Sequence, residues 1–375
     1  MHAIVFSGKT ISSVTKMLLG PALCAVLASS ALVACGGSVD PQQPPEGQGG
    51  AGGGGGAGGG GGVGGQGGGG EPLCVPLPEG APAVLADLPE AANGFRQSLV
   101  LEGNHLYALG DGALHAVPID GSDAKVVAKD PTLSADVPFV VSKTEAFYVG
   151  TDWNLRRIPL AGGPSSVVAQ VANGAMVLGI DAAQSKLYWL DWDNKRLVSQ
   201  AIAGGAPEPL CALGDVAGIS SIVPDADGTI YALGMGPEFP DATSVIVRCK
   251  PGAASVEEVV KLSGAIDARI AVDEQFVYFS DISSQAPGIK HVAKDGGGNP
   301  MTIDPDGIGP ILTTAEGVYW ARGNATVIES LYIASCSPRP IAELETEQGT
   351  FAAYAADAER LYALANDGQI IALPR

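Results

Sequence analysis

The sequence predicts an all-β chain folded as a seven-bladed β-propeller, and three observations carry that prediction. After residue 98 the chain repeats, each copy marked by an apolar residue followed by Tyr: Leu106-Tyr107, Phe147-Tyr148, Leu187-Tyr188, Ile230-Tyr231, Val277-Tyr278, Val318-Tyr319 and Leu361-Tyr362. The steps between these tyrosines are 41, 40, 43, 47, 41 and 43 residues, and seven of the nine tyrosines fall on the grid. That period, with several short strands in each copy, is the spacing of propeller blades. Secondly, 46% of residues are hydrophobic, only 16% are charged, and 53 are glycine. Helical periodicity is hard to find outside the N-terminus. Thirdly, the last unit, Phe351 to Arg375, supplies three strands and stops, while a lone strand sequence, Ala83-Val84-Leu85-Ala86, precedes the first unit. Pairing the two shuts the ring and removes an open sheet edge. A six-bladed ring is the alternative count.

The N-terminus reads as an export signal covering residues 1–34. His2, Lys9 and Lys16 give a weakly basic start, and Met17 to Ala34 is an apolar run of small and aliphatic residues. It ends in Leu32-Val33-Ala34-Cys35, followed by Gly36 and Gly37. These four residues resemble a bacterial lipobox. The resemblance implies cleavage before Cys35 and a diacylglycerol group on its sulfur, with acyl chains such as palmitate holding the protein at a membrane. A transmembrane anchor or a plain secretory signal is the other reading; Pro21 inside the apolar run and the Gly-rich exit weaken a spanning helix. Cleavage leaves 19 Lys+Arg against 40 Asp+Glu, a net −21. So acidic a surface, without clustered Lys/Arg, argues against a nucleic-acid partner.

Residues 35–73 then form a Gly-rich tether. GxGxxG occurs in it many times by composition, but no strand precedes it and no GK[ST] follows, so it does not read as a phosphate loop. About 36 residues of such coil span roughly 30–36 Å. The propeller is assigned to residues 74–375.

Within each unit a first apolar strand ends at an acidic or turn residue: Glu102, Asp181, Asp225, Asp273, Asp357. The second strand carries the Tyr. A third alternates and ends in a Gly or Pro turn, as at Pro159 to Gly163 and Ala203 to Gly205. The fourth is a short apolar run, such as Glu208 to Ala212. The stretch Lys186 to Gly205 shows the second and third strands most clearly. There Tyr188, Trp189 and Asp191 match three letters of the YWTD repeat, with Leu190 replacing Thr, and Tyr278-Phe279-Ser280-Asp281 is a looser copy. The chain thus resembles the YWTD propellers of low-density-lipoprotein receptors. The resemblance implies blades packed through Tyr and Trp, a ligand-binding role, and six blades.

Outside the signal and Cys35, four cysteines remain: Cys74, Cys211, Cys249 and Cys336. An even number in an exported domain suggests two disulfides, with three possible pairings. Cys211 and Cys249 fall on adjacent blades, which favours Cys211–Cys249 with Cys74–Cys336; the second link would pin the closing strand. No CxxC or nearby His pair supports a metal site.

Chemistry-bearing motifs are otherwise sparse. His105, His115 and His291 lie in separate units, and neither HExxH nor GxSxG occurs. Asp225-Ala226-Asp227-Gly228 and Asp304-Pro305-Asp306-Gly307 resemble parts of a calcium loop but lack its remaining ligands, and read as turns. No cofactor is expected. The loops joining second and third strands open on one face. Two of them carry Asp152-Trp153-Asn154 and Asp191-Trp192-Asp193-Asn194. Trp153, Asn154, Trp192, Asp193 and Asn194 are therefore the candidate ligand rim, where paired tryptophans would stack on a sugar or clamp a peptide. Alternatively, each Trp packs down between blades. The expectation is a monomeric, lipid-anchored module of the bacterial cell envelope that binds a protein or glycan and is not an enzyme. A hydrolase or lyase with its site in the propeller channel is the alternative.

Overall fold

The computed structural model describes residues 81–88, 98–110, 112–134, 137–171, 178–236, 243–263, 266–282, 286–322, 327–332, 339–343 and 351–374. The proposed signal peptide, Cys35, the Gly-rich tether, Cys74 and Cys336 lie outside them. Among the described residues no helix is long and apolar enough to cross a membrane.

The described strands form seven four-stranded antiparallel sheets. Blade 1 is β2 (Val100–Glu102), β3 (His105–Gly110), β4 (Ala113–Pro118) and β5 (Lys125–Lys129). Blade 2 is β6 (Phe139–Val141), β7 (Glu145–Val149), β8 (Asn154–Pro159) and β9 (Ser166–Gln170). Blade 3 is β10 (Leu178–Ile180), β11 (Lys186–Asp191), β12 (Arg196–Ala201) and β13 (Glu208–Ala212). Blade 4 is β14 (Gly218–Pro224), β15 (Ile230–Met235), β16 (Thr243–Cys249) and β17 (Glu257–Ser263). Blade 5 is β18 (Ile266–Val272), β19 (Phe276–Asp281), β20 (Gly288–Ala293) and β21 (Met301–Asp304). Blade 6 is β22 (Gly307–Thr313), β23 (Gly317–Arg322), β24 (Val327–Tyr332) and β25 (Arg339–Glu343). Blade 7 joins the two ends of the chain: β26 (Phe351–Ala356), β27 (Arg360–Ala365), β28 (Gln369–Pro374) and, outermost, β1 (Ala83–Asp87).

The closing strand is where the sequence places it. Val84 is registered against Ile371 and Asp87 against Gln369. The innermost strands pack in a closed circle, β2 on β6, β10, β14, β18, β22, β26 and back to β2. The ring has seven blades, so the six implied by the YWTD likeness do not apply.

Each sheet is buried on both faces, which is why the second strands read as nearly unbroken apolar runs. In β3, Leu106 and Ala108 join Tyr362, Leu364 and Ile370 of blade 7, while Tyr107 and Leu109 join Phe139, Tyr148 and Ile158 of blade 2. One apolar cluster lies between each pair of neighbouring blades, around the whole ring. Each large side chain so buried contributes about 1.5–3 kcal/mol.

Six of the seven marker tyrosines face the next blade. Tyr148 does not. The register pairs Val140 with Phe147, as it pairs Val100 with Tyr107, so Phe147 occupies the marker's place. Tyr148 turns back into the cluster shared with blade 1. A period-2 strand reverses every side chain on a one-residue slip, and the spacing of the grid is too coarse to register it.

The predicted Cys211–Cys249 disulfide is present, with Cα atoms 5.9 Å apart. It ties β13 of blade 3 to β16 of blade 4. Beside it the turn after β16 adds to the edge of blade 3: Ala212 N–H donates to Ala254 O and Val256 N–H to Ala212 O, both at 3.0 Å.

Candidate functional site

Connections between second and third strands share one face of the ring with the connections between blades. The candidate rim residues lie there. In three consecutive blades one backbone device shapes this face. A residue in the left-handed region offers its carbonyl to the chain leaving the fourth strand. Asp130 N–H donates to Gly112 O at 3.1 Å, Val171 N–H to Trp153 O at 3.1 Å, and Leu213 N–H to Lys195 O at 2.9 Å. The φ values are +63°, +59° and +46°.

Trp153 is therefore the counterpart of Lys195, not of Trp192. Trp192 stands three residues before Lys195, where blade 2 has Gly150: Lys195 N–H donates to Trp192 O and Trp153 N–H to Gly150 O. The two tryptophans share a loop type but not a position, and their surroundings differ. Trp153 is half-buried and packs against the core between blades 2 and 3. Trp192 is 40% exposed.

The polar rim residues are built alike in both blades. Asp152 accepts from Asn154 Nδ2 at 2.8 Å and from Arg156 Nη2 at 2.5 Å. Asp191 accepts from Asn194 Nδ2 at 2.9 Å and from Arg196 Nε at 2.9 Å. Asn154 and Asn194 thus hold a carboxylate against an arginine on the following strand. The hydrogen bond from Arg156 lowers the Asp152 pKa to about 2. Burial alone would raise that of Asp191, but the bonds from Asn194 and Arg196 outweigh it and the pKa falls below the ordinary carboxylate value. Sequence reasoning missed Arg156 and Arg196; the recurrence of Arg two residues after each loop Asn was the available signal.

Around blade 2 the network extends backwards. Arg156 Nη1 donates to Ser165 Oγ at 3.2 Å, and Ser165 donates to Asp130. Thr132 Oγ1 donates to Asp130 at 2.6 Å and lies 3.4 Å from Tyr148 OH. The reversed Tyr148 thus has its hydroxyl beside this network. Around blade 3 the arrangement is more open. Arg196, Asp193 and Gln170 line a cavity of about 560 Å³ with Trp189 in its wall. Asp193 is exposed and has no hydrogen-bond or ionic partner among the described residues.

Trp192 leans over the backbone of blade 4. A Cβ on Gly218 would lie 3.3 Å from Trp192 Cη2 and 3.1 Å from Met235 Cε. Met235 ends β15 and is 61% exposed; Ile282, just after β19, is 56% exposed. Blades 3, 4 and 5 thus each present one large apolar side chain on this face.

The opposite face carries the acidic turn residues. Asp273 Oδ1 caps its hairpin by accepting from Gln275 and Phe276 N–H, and its Oδ2 accepts from Tyr278 OH at 2.6 Å. Asp357 does the same with Glu359, Arg360 and Tyr362 OH. The marker Tyr and the turn acid five residues before it are one unit in these blades. Asp225, Asp273 and Glu274 also line an open cavity of about 420 Å³.

The histidines stay within their own blades. His115 Nε2 lies 3.1 Å from Gly110 O, His291 packs on Phe276 with ring centres 4.3 Å apart, and His105 lies beside Tyr107. Of the calcium-like stretches, Asp227 caps Thr229, as a turn residue does. Asp304 caps Asp306 and also accepts from the buried Trp320 Nε1 at 2.8 Å. Among the described residues no three His, Cys, Asp or Glu side chains converge as metal ligands.

No protein-family model matches the sequence, and no curated relative matches it. Solved structures resemble the fold. Virginiamycin B lyase from Staphylococcus aureus aligns with a TM-score of 0.59 at 11% identity, over 79% of this chain and 100% of that one. YCF48 bound to D1 peptide aligns at 0.58 and 12% identity, over 80% and 98%. BamB from Moraxella catarrhalis aligns at 0.50 and 13%, over 74% and 84%. At these identities the likeness is one of fold alone.

Proposed function

We propose that this propeller is a binding module of the bacterial cell envelope, tethered through a lipidated Cys35 and a Gly-rich spacer, that takes a protein or glycan on the rim of blades 2 to 5. One observation carries the reading. Trp192 stands exposed and leans over Gly218 of blade 4, on a loop whose geometry is fixed by the Asp191–Asn194–Arg196 contacts. A large aromatic surface held on a rigid polar frame is the chemistry of recognition sites. That YCF48 was solved with a peptide bound agrees with this use of the fold but does not transfer its partner.

The test uses the full chain purified in detergent and its Trp192→Ala variant. Envelope material retained by the wild type should be lost from the variant while the melting temperature stays within about 2 °C. Equal retention by both proteins contradicts the reading. Incorporation of labelled palmitate into the wild type but not into Cys35→Ser tests the tether.

A hydrolase or lyase is the second reading; its site would be the cavity lined by Asp273, Glu274 and Asp225, the last ion-paired with Lys294. Metal content of the purified protein separates the two. A stoichiometric divalent cation lost on Asp225→Asn would support the enzyme.

A further inference from the structure

A free strand edge templates pairing with another chain unless charge, proline or a covering segment blocks it. The outer strands of six blades contain one of the first two: Asp87 in β1, Lys125 in β5, Pro209 in β13, Glu257 in β17, Asp304 in β21 and Pro340 in β25. The outer strand of blade 2, β9, reads Ser-Val-Val-Ala-Gln and has neither. Val167 is 53% exposed there, but Val84 on β1 and Val126 on β5 are exposed too, so it is the missing charge that sets β9 apart. A covering segment is missing as well. In other blades the turn between third and fourth strands leans on the outer strand of the preceding blade. A Cβ on Gly121 would lie 3.9 Å from Leu85 Cδ2 of β1, one on Gly162 3.4 Å from Val127 O of β5, and one on Gly296 3.2 Å from Val259 O of β17. In blade 4 this turn pairs outright, with Ser255 bridged in parallel to Ala212 of β13. The blade 3 turn, which follows β12, makes no such approach: a Cβ on Gly204 or Gly205 would meet nothing within 4 Å. Among the described residues no backbone hydrogen bond reaches β9 from outside its own blade.

We propose that the open edge of β9 receives an extended segment of a partner protein as a fifth strand of blade 2. A row of edge N–H and C=O groups is matched by an extended backbone. The Ala212–Ser255 bridge is the same kind of pairing, made within the chain on the edge of blade 3. A second copy of this chain is opposed by its formal net charge of −19. Main-chain bonds supply the affinity, so the segment lacks proline and sets uncharged β-branched or aromatic side chains beside Val167 and Val168. This edge is on the outer strand of its blade, apart from the Trp192 rim, and the proposal does not depend on that rim binding anything.

The experiment selects peptides from a random phage-displayed library on the full chain in detergent, then reads hydrogen exchange of residues 166–170 by mass spectrometry. An enriched peptide should slow exchange there. Alternate residues of a strand turn their amides to opposite sides. N-methylating one alternate set of the synthetic peptide should therefore weaken binding about tenfold or more, and the other set should not. Val167→Lys, which supplies the missing charge, should weaken binding similarly. Val126→Lys, on the covered β5, and Trp192→Ala should leave it unchanged. The substituted side chains are exposed, and melting temperature checks that each variant folds. No enrichment, no protection of 166–170, equal tolerance of both N-methylated sets, or unchanged binding to Val167→Lys overturns the proposal. So does a dimer of the chain, formed without peptide, that dissociates in Val167→Lys, since the edge then belongs to a second copy. Loss of binding in Trp192→Ala alone moves the peptide to the rim, which overturns this proposal and leaves the rim reading standing.

Discussion

Gln184 Nε2 donates to Glu102 Oε2 at 2.7 Å, although the two residues belong to blades 3 and 1. Both residues lie at the end of the ring where first and second strands turn. Arg269 makes a comparable link, from blade 5 to Ala352 O of blade 7 at 2.9 Å. Such bonds join sheets that are not neighbours in the ring. Glu102→Ala should therefore lower unfolding free energy by about 1 kcal/mol, more than a surface carboxylate usually costs, since the Gln184 amide loses its acceptor. Urea unfolding measures it; an effect within error would show the link to be energetically idle.

The Cys211–Cys249 link closes a segment with a sequence separation of 38. Loop entropy puts its contribution at about 3–4 kcal/mol. The Cys211→Ala/Cys249→Ala protein should lose an amount near that in guanidinium unfolding.

Stability should form a plateau in pH with edges set by named groups. Asp130, Asp152, Asp181, Asp191 and Asp357 have pKa values below the ordinary 3.8, that of Asp152 reaching about 2. A depressed carboxyl contributes stability above its unfolded value and loses it as pH falls through the folded one. Melting temperature should drop between about pH 4 and 2. Burial lowers the His291 pKa from 6.5, which adds a shallower loss below that value. At the alkaline edge burial pushes Tyr231 up to about 12. Its neutral form is favoured in the fold, so its contribution is complete below pH 10 and is lost as pH rises towards 12. A Tm–pH scan checks all three limbs.

Two substitutions involving glycine should act in opposite directions. A Cβ at Gly307 would lie 2.5 Å from Ile289 Cγ1 and 2.9 Å from Trp320 Nε1. Gly307→Ala should destabilise by about 1–3 kcal/mol through overpacking against the Asp304–Trp320 contact. Lys195 is exposed and sits at φ +46°. Lys195→Gly should be neutral or stabilising by up to about 1 kcal/mol, because Gly adopts that region without a Cβ penalty. Paired thermal melts compare them.

Much of the fold was legible because its signals are local. The Tyr grid reports the second strands, which must be apolar on both faces, and the orphan strand around Val84 reports the missing fourth of blade 7. The Cys211–Cys249 pairing followed from placing each cysteine on a numbered strand. What was not legible depended on register or on distant partners. Phe147 and Tyr148 exchange roles by one residue, below what a repeat of this length resolves. Trp153 and Trp192 look equivalent in sequence because both follow Asp, yet the turn places one at the left-handed position and the other three residues earlier.

The account depends most on the ring being shut by the strand that follows the Gly-rich spacer. Hydrogen exchange read by mass spectrometry on peptides covering 83–87 and 369–374 tests it directly. Amides of 83–87 that pair with β28 should exchange as slowly as those of its inner neighbour. Exchange of 83–87 at the rate of an unprotected peptide would contradict the closure, and with it the order of blades around the proposed rim.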